Sequence, residues 1–225
     1  MAVDNASSNN GIINYLKRKT KHRKWTILEH DYLHTRCGAH ILNLIVSDGL
    51  KEMDESIVKI RNVVRYVRSS PSRMAKFNSC ANREGIESKS SVCLDVPTRR
   101  NSTFLMLERA VQFEKAFERL QDEDLTFSCH FKSYRNDGLE FRDDSGRKIL
   151  GAPDSEDWAK ARLYVKFLKL FHKATLRFSG SLFVTSNVFY IEIDYIQSAI
   201  KNLCENDNIN LRLMVEGMRI KFEKY

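Results

Sequence analysis

Apolar residues recur at helical spacing along most of this chain, and that periodicity predicts a mainly α protein. Residues 7–20, SSNNGIINYLKRKT, read as a short helix with Ser7 or Ser8 as its cap and Ile12, Tyr15 and Leu16 on one side. A mostly buried helix follows over about 39–53, with Ile41, Leu42, Leu44, Ile45 and Leu50. The next, about 54–68, puts Ile57, Ile60, Val64 and Val67 on its inner face and Lys59, Arg61, Arg65 and Arg68 on the other. Ser69-Ser70-Pro71 stops it, because proline disfavours helix in the residue before it. A shorter helix carries Met74, Phe77 and Cys80, and residues 85–99 lose the period and read as extended or looped. Over 101–120, Met106, Ala110, Phe113, Phe117 and Leu120 form one stripe of a strong helix. The segment 121–157 has the weakest pattern and three of the nine glycines, so a partly mobile connector is expected there. Three further helices are expected: one from Trp158 to near Gly180, one capped by Ser186 or Asn187, and one over about 209–224. No internal repeat is visible.

Composition supports this outline. Three prolines and nine glycines among 225 residues argue against a β-sandwich and for long helices. No apolar run reaches the roughly 18 residues of a membrane span, so no membrane partner is expected. The start of the chain has no signal-peptide pattern, and the five scattered cysteines are expected to be reduced thiols. The net charge of +8 permits a polyanionic partner without demanding one. That charge is most concentrated in KRKTKHRK, residues 17–24, where six of eight positions are Lys or Arg. Such a run is either a solvated loop or a patch that contacts phosphates.

Few residues carry the marks of chemistry. Cys37 and His40 have C-x2-H spacing, but no second pair completes a zinc set, so a thiol and a hydrogen-bonded imidazole on or before a helix are expected. No base or orienting group marks a cysteine nucleophile, and no glycine-rich phosphate loop occurs. The paired Asp143 and Asp144 lie in the weak segment, where solvation is expected. Asp4 is a turn or helix cap on local sequence, or one ligand of a divalent metal; alone it cannot build a two-metal site.

Four strings, in order, carry more than any of these residues separately: DNASSNN, RCGAHILNLIVSDGLKE, LDVPTRRNSTFLMLERA, and DWAKARLYVKFLKLFHKATLRFSGSLFVTSNVFYIEI with the terminal MRIKFEKY. Together they resemble the hAT superfamily of DNA transposases, nearest its plant zinc-finger-BED branch of the RICESLEEPER and DAYSLEEPER type. The resemblance covers essentially the whole chain. It implies an RNase H-like catalytic domain interrupted by an all-helical insertion. Residues 1–48 would be a truncated α/β remnant of that domain and 49–225 the helical insertion region, with about 155–225 matching the family's RNase-H-fold segment. Asp4 matches the second metal-binding Asp of the family's Asp-Asp-Glu triad, and Cys37 and His40 match its C-x2-H motif. Arg100 stands where the family usually has the Trp associated with a flipped base, a stacking role that a guanidinium fills only in part.

On that resemblance the chain is expected to be truncated, lacking the BED finger, the first catalytic Asp, the catalytic Glu and the dimerisation region. The intact family uses Mg²⁺; with one triad carboxylate, no cofactor is expected here. The leading expectation is a nuclear, non-enzymatic fragment that binds DNA non-specifically through Lys17, Arg18, Lys19, Lys21, Arg23, Lys24 and Arg99. The alternatives are a protein-interaction remnant or non-functional gene fragment, and an active metal-dependent transposase or nuclease. The sequence fixes neither a DNA target nor an oligomeric state.

Overall fold

A computed structural model describes residues 2–3, 8–20, 35–50, 55–87, 90–96, 101–132, 141–142, 146, 148–178, 186–205 and 209–224. The chain is mainly α, as the periodicity predicts. A strand β1 (Ala2–Val3) precedes helix α1 (Ser8–Thr20) and pairs in parallel with β2 (Thr35–Arg36), in the register Ala2↔Thr35 and Val3↔Arg36. Helices α2 (Gly38–Gly49), α3 (Glu55–Arg68) and α4 (Pro71–Arg83) follow. Pro71 opens α4 in its first turn, where its missing N–H costs nothing.

The stripe over 101–120 does not form one helix. It divides into α5 (Ser102–Gln112) and α6 (Glu114–Glu123), with Phe113 at φ −103° and ψ 14° between them. The reason is geometric. The first half of the stripe packs on helix α8 (Ser155–Phe178) and the second half on α4, and one straight helix cannot face both. The ring of Phe113 stays buried at the bend, 5.6 Å from that of Phe77.

The expected connector over 121–157 is corrected more sharply. Residues 125–132 form helix α7 (Leu125–Lys132), whose Phe127 and Phe131 are buried against Tyr66 with ring centroids 5.2 and 5.6 Å away. Asp124 caps it by accepting from the Thr126 backbone N–H at 3.0 Å. An antiparallel pair follows, β3 (Phe141–Arg142) with β4 (Lys148–Ile149), and β4 packs on α3. Asp143 and Asp144 lie outside the described residues.

Helix α8 is the axis of the core. It touches α2, α3 and α5, then α9 (Ser186–Cys204), and buries Trp158, Ala161, Tyr164, Leu168 and Phe171. Helix α10 (Ile209–Glu223) packs on α9 and on α2. One continuous apolar cluster runs from Leu42 and Ile45 on α2 to Met214, Val215 and Met218 on α10. Helix α2, which spans the boundary expected at 48/49, contributes to it throughout.

Candidate nucleic-acid interface

Helix α1 buries Ile13 and exposes Lys17, Arg18 and Lys19 in its last turn. Cations there complement the negative end of the helix dipole, which is one local reason for their position. Arg18 Nε donates to the Asn14 carbonyl at 3.4 Å, and Lys19 Nζ lies 5.8 Å from the Tyr15 ring centroid. Among the described residues none of the three has a carboxylate partner. Lys21, Arg23 and Lys24 lie outside the described residues, as do Asp4, Arg99 and Arg100.

The two paired strands lead directly to singled-out residues: β1 ends at Val3, before Asp4, and β2 ends at Arg36, before Cys37. Cys37 is extended and caps α2 with its backbone; its carbonyl accepts from the His40 and Ile41 N–H groups at 3.0 and 3.1 Å. The C-x2-H spacing thus sets a half-buried free thiol at a helix start and an imidazole in the first turn. No group of three or more His, Cys, Asp or Glu able to hold a metal occurs among the described residues. Asp4 lies outside them.

Cations read on the outer face of α3 are engaged by other parts of the chain. Arg61 is buried and puts Nε and Nη2 on one oxygen of Asp95, at 2.8 and 2.7 Å, with both side chains no more than 10% exposed. Arg68 donates to the Val92 carbonyl at 2.9 Å, and Arg109 of α5 to the Ser91 carbonyl at 3.1 Å. Three arginines therefore clamp residues 91–95 onto α3 and α5. Ser102 Oγ donates to the Val96 carbonyl at 2.7 Å, and Asn101 caps α5 in the left-handed region at φ 60°. The chain is fixed on both sides of 97–100, the segment that contains Arg99 and Arg100.

Lys59, also read on that outer face, is spent at a second buried node. Asp157 accepts from Ser56 Oγ at 2.6 Å, Lys59 Nζ at 2.8 Å and the Asp154 backbone N–H at 2.9 Å. Burial pushes its carboxyl up, but hydrogen bonds from Lys59, Ser56 and the Asp154 backbone outweigh that and hold it below the usual range. Neither Asp95 nor Asp157 stands out in sequence, because their partners lie 34 and 98 residues away.

The described residues thus form a helical body, entered from a short parallel strand pair, whose arginines strap an extended segment onto its core. Residues 35–137 match the family described as the ZBED1 RNase-like helical domain. Over its whole length the chain is 30% identical to the Putative AC transposase of Zea mays. It is 29% identical over 190 residues, 84% of the chain, to Zinc finger BED domain-containing protein RICESLEEPER 2 of Oryza sativa subsp. japonica. The chain is similar to hAT-type transposases and their zinc finger BED relatives. It spans about a quarter of the length of these relatives, 26% of the first and 23% of the second.

Proposed function

We propose that this chain is a DNA-binding part of a transposase-derived nuclear protein, contacting the phosphate backbone rather than reading bases. The observation that carries this is the exposed end of α1, where Lys17, Arg18 and Lys19 have no carboxylate partner among the described residues and lead in sequence to Lys21, Arg23 and Lys24. Arg99 and Arg100 follow the strap clamped by Arg61, Arg68 and Arg109 and are the next candidate contacts. The net charge of +8 and the transposase and zinc-finger-BED relatives support the same reading. Cleavage is not part of it: only Asp4 carries over from the family's three triad carboxylates, so the 225 residues alone bind DNA without cutting it. A second reading, a protein-interaction module, is favoured by the exposed Tyr190, Ile191 and Tyr195 on α9 and Ile209, Leu213 and Ile220 on α10.

Fluorescence anisotropy with two unrelated duplexes over a range of salt separates these readings. Each phosphate contact contributes roughly −0.9 to the log–log slope, so about four contacts give about −3 to −4. Replacing Lys17, Arg18, Lys19, Lys21, Arg23 and Lys24 by serine is expected to weaken both duplexes alike and flatten the slope. Equal affinity and slope in wild type and variant would remove this patch, and the protein-interaction reading would then lead.

A further inference from the structure

Helix α8 has a face that the core does not use. Between Ala159 and Phe178 it carries six Lys or Arg residues and no Asp or Glu. Lys160 pairs with Glu156 one turn before it. The other five, Arg162, Lys166, Lys169, Lys173 and Arg177, are all exposed and follow one another by steps of four, three, four and four residues. At 3.6 residues per turn those steps make a single stripe, about 22 Å long at roughly 1.5 Å per residue. The opposite side of the helix is the buried row of Trp158, Ala161, Tyr164, Leu168 and Phe171.

Like charges three and four residues apart repel along a helix. The stripe offsets part of that repulsion from its flanks. Arg162 meets Glu114 of α6, Lys169 meets Glu108 of α5 at 3.3 Å, and Arg177 meets Glu192 of α9. Lys166 and Lys173 have no ion pair among the described residues, and no acidic residue of α8 lies beside them. The paired cations are thus held in place while the two between them stay available, and the stripe remains net positive.

We propose that this outer face of α8 is a second contact for the backbone of a DNA duplex, with Lys166 and Lys173 as its principal phosphate ligands. The proposal rests on the DNA-binding reading above and adds a site to it. The spacing suits the ligand: successive cations advance about 4.5–6 Å along the axis, and one strand of a duplex presents a phosphate roughly every 3.4 Å. A strand laid along α8 meets one cation for every one to two phosphates. The face carries no hydrogen-bonding array for base edges, so the contact is independent of sequence.

The test is the salt dependence of duplex binding by the full 225-residue chain. Three variants are compared with wild type: Lys166→Gln with Lys173→Gln, the charge-preserving Lys166→Arg with Lys173→Arg, and Lys17→Gln with Arg18→Gln and Lys19→Gln. The double glutamine variant is expected to keep the wild-type melting temperature, since neither lysine has an ion pair to lose among the described residues. Its log–log slope is expected to be shallower by roughly 1–2, and the double arginine variant is expected to match wild type. Wild-type affinity and slope in the double glutamine variant, with binding lost in the α1 variant, would overturn the α8 site and leave the DNA-binding reading standing. A wild-type chain that shows no salt-dependent duplex binding would overturn both.

Discussion

The crossing of α2 and α10 gives two glycine substitutions of opposite sign. Gly49, the last residue of α2, lies against α10, and a Cβ built on it would strike Met218 Cγ and sit 2.8 Å from the Met214 carbonyl oxygen. The methionine side chain can swing away, but the carbonyl belongs to the α10 backbone, so the helices themselves must part. A Cβ on Gly217 would instead lie 3.5 Å from Gly49 Cα and 3.8 Å from the Asp48 carbonyl oxygen, ordinary van der Waals distances. Overpacking of this kind costs about 1–3 kcal/mol, and replacing a helical glycine by alanine returns about 0.5–1 kcal/mol. Gly49→Ala is therefore expected to destabilise by about 1–2 kcal/mol, while Gly217→Ala is expected to be neutral or stabilising by up to about 1 kcal/mol. For a chain of this size each kcal/mol moves the melting temperature by about 2–4 °C. Thermal unfolding followed by circular dichroism reads both shifts. A Gly49→Ala protein as stable as wild type, or equal losses at the two positions, would refute the reasoning. The Lys221–Asp48 ion pair at 2.7 Å spans the same crossing and is kept in both variants.

Two further outcomes are expected. Incubated with supercoiled DNA and Mg²⁺ or Mn²⁺, the chain is expected to leave the plasmid intact; nicking that disappears in Asp4→Asn would reveal a metal site built from residues not identified above. His172 lies 4.7 Å from the Phe104 ring with a buried Nδ1 that has no hydrogen-bond partner among the described residues, and burial lowers its pKa below 6.5, with Glu108 opposing and Lys169 assisting. A histidine depressed in the folded state binds fewer protons there than in the unfolded chain, so its stabilisation is full above 6.5 and is lost as the pH falls below it. His172→Phe keeps the ring stack and is expected to reduce the drop in melting temperature between neutral and mildly acid pH; an unchanged pH dependence would rule His172 out as a source.

The helices that the period announced are long enough to repeat it. Helices α3, α8 and α10 were expected over about 54–68, Trp158 to near Gly180 and about 209–224, and the observed bounds differ from these by a few residues at most. The break at Phe113 was hidden because its ring is apolar and on the stripe; only the demand to face α8 and then α4 divides the helix. Helix α7 was hidden for another reason. Eight residues of LTFSCHFK give two turns, too few for a period to emerge, and the Asp124 cap is a common residue in a segment full of acids. For the candidate site, the basic end of α1 was readable as a charge run and a helix near Cys37 and His40 was expected, whereas the backbone cap that Cys37 supplies was not. The stripe on α8 was not singled out, because its cations are spread from Arg162 to Arg177 and only the helix brings them into line.

The difference between α3 and α8 shows what decides whether a basic helix face can serve as an interface. Both carry several Lys and Arg residues beside buried apolar positions. On α3 the cations meet acceptors delivered by distant segments: Asp95 and the Val92 carbonyl from the strap, Asp157 from the start of α8. Burying Arg61 is tolerable only because Asp95 pairs with it, since a lone buried guanidinium would cost several kcal/mol. Those charges are consumed in holding the fold. On α8 the flanking glutamates reach every second cation and leave Lys166 and Lys173 between them. The supply of acceptors from neighbouring elements therefore sorts structural cations from available ones. By that criterion the positive charge of this chain that remains available, among the described residues singled out here, is at the end of α1 and along α8.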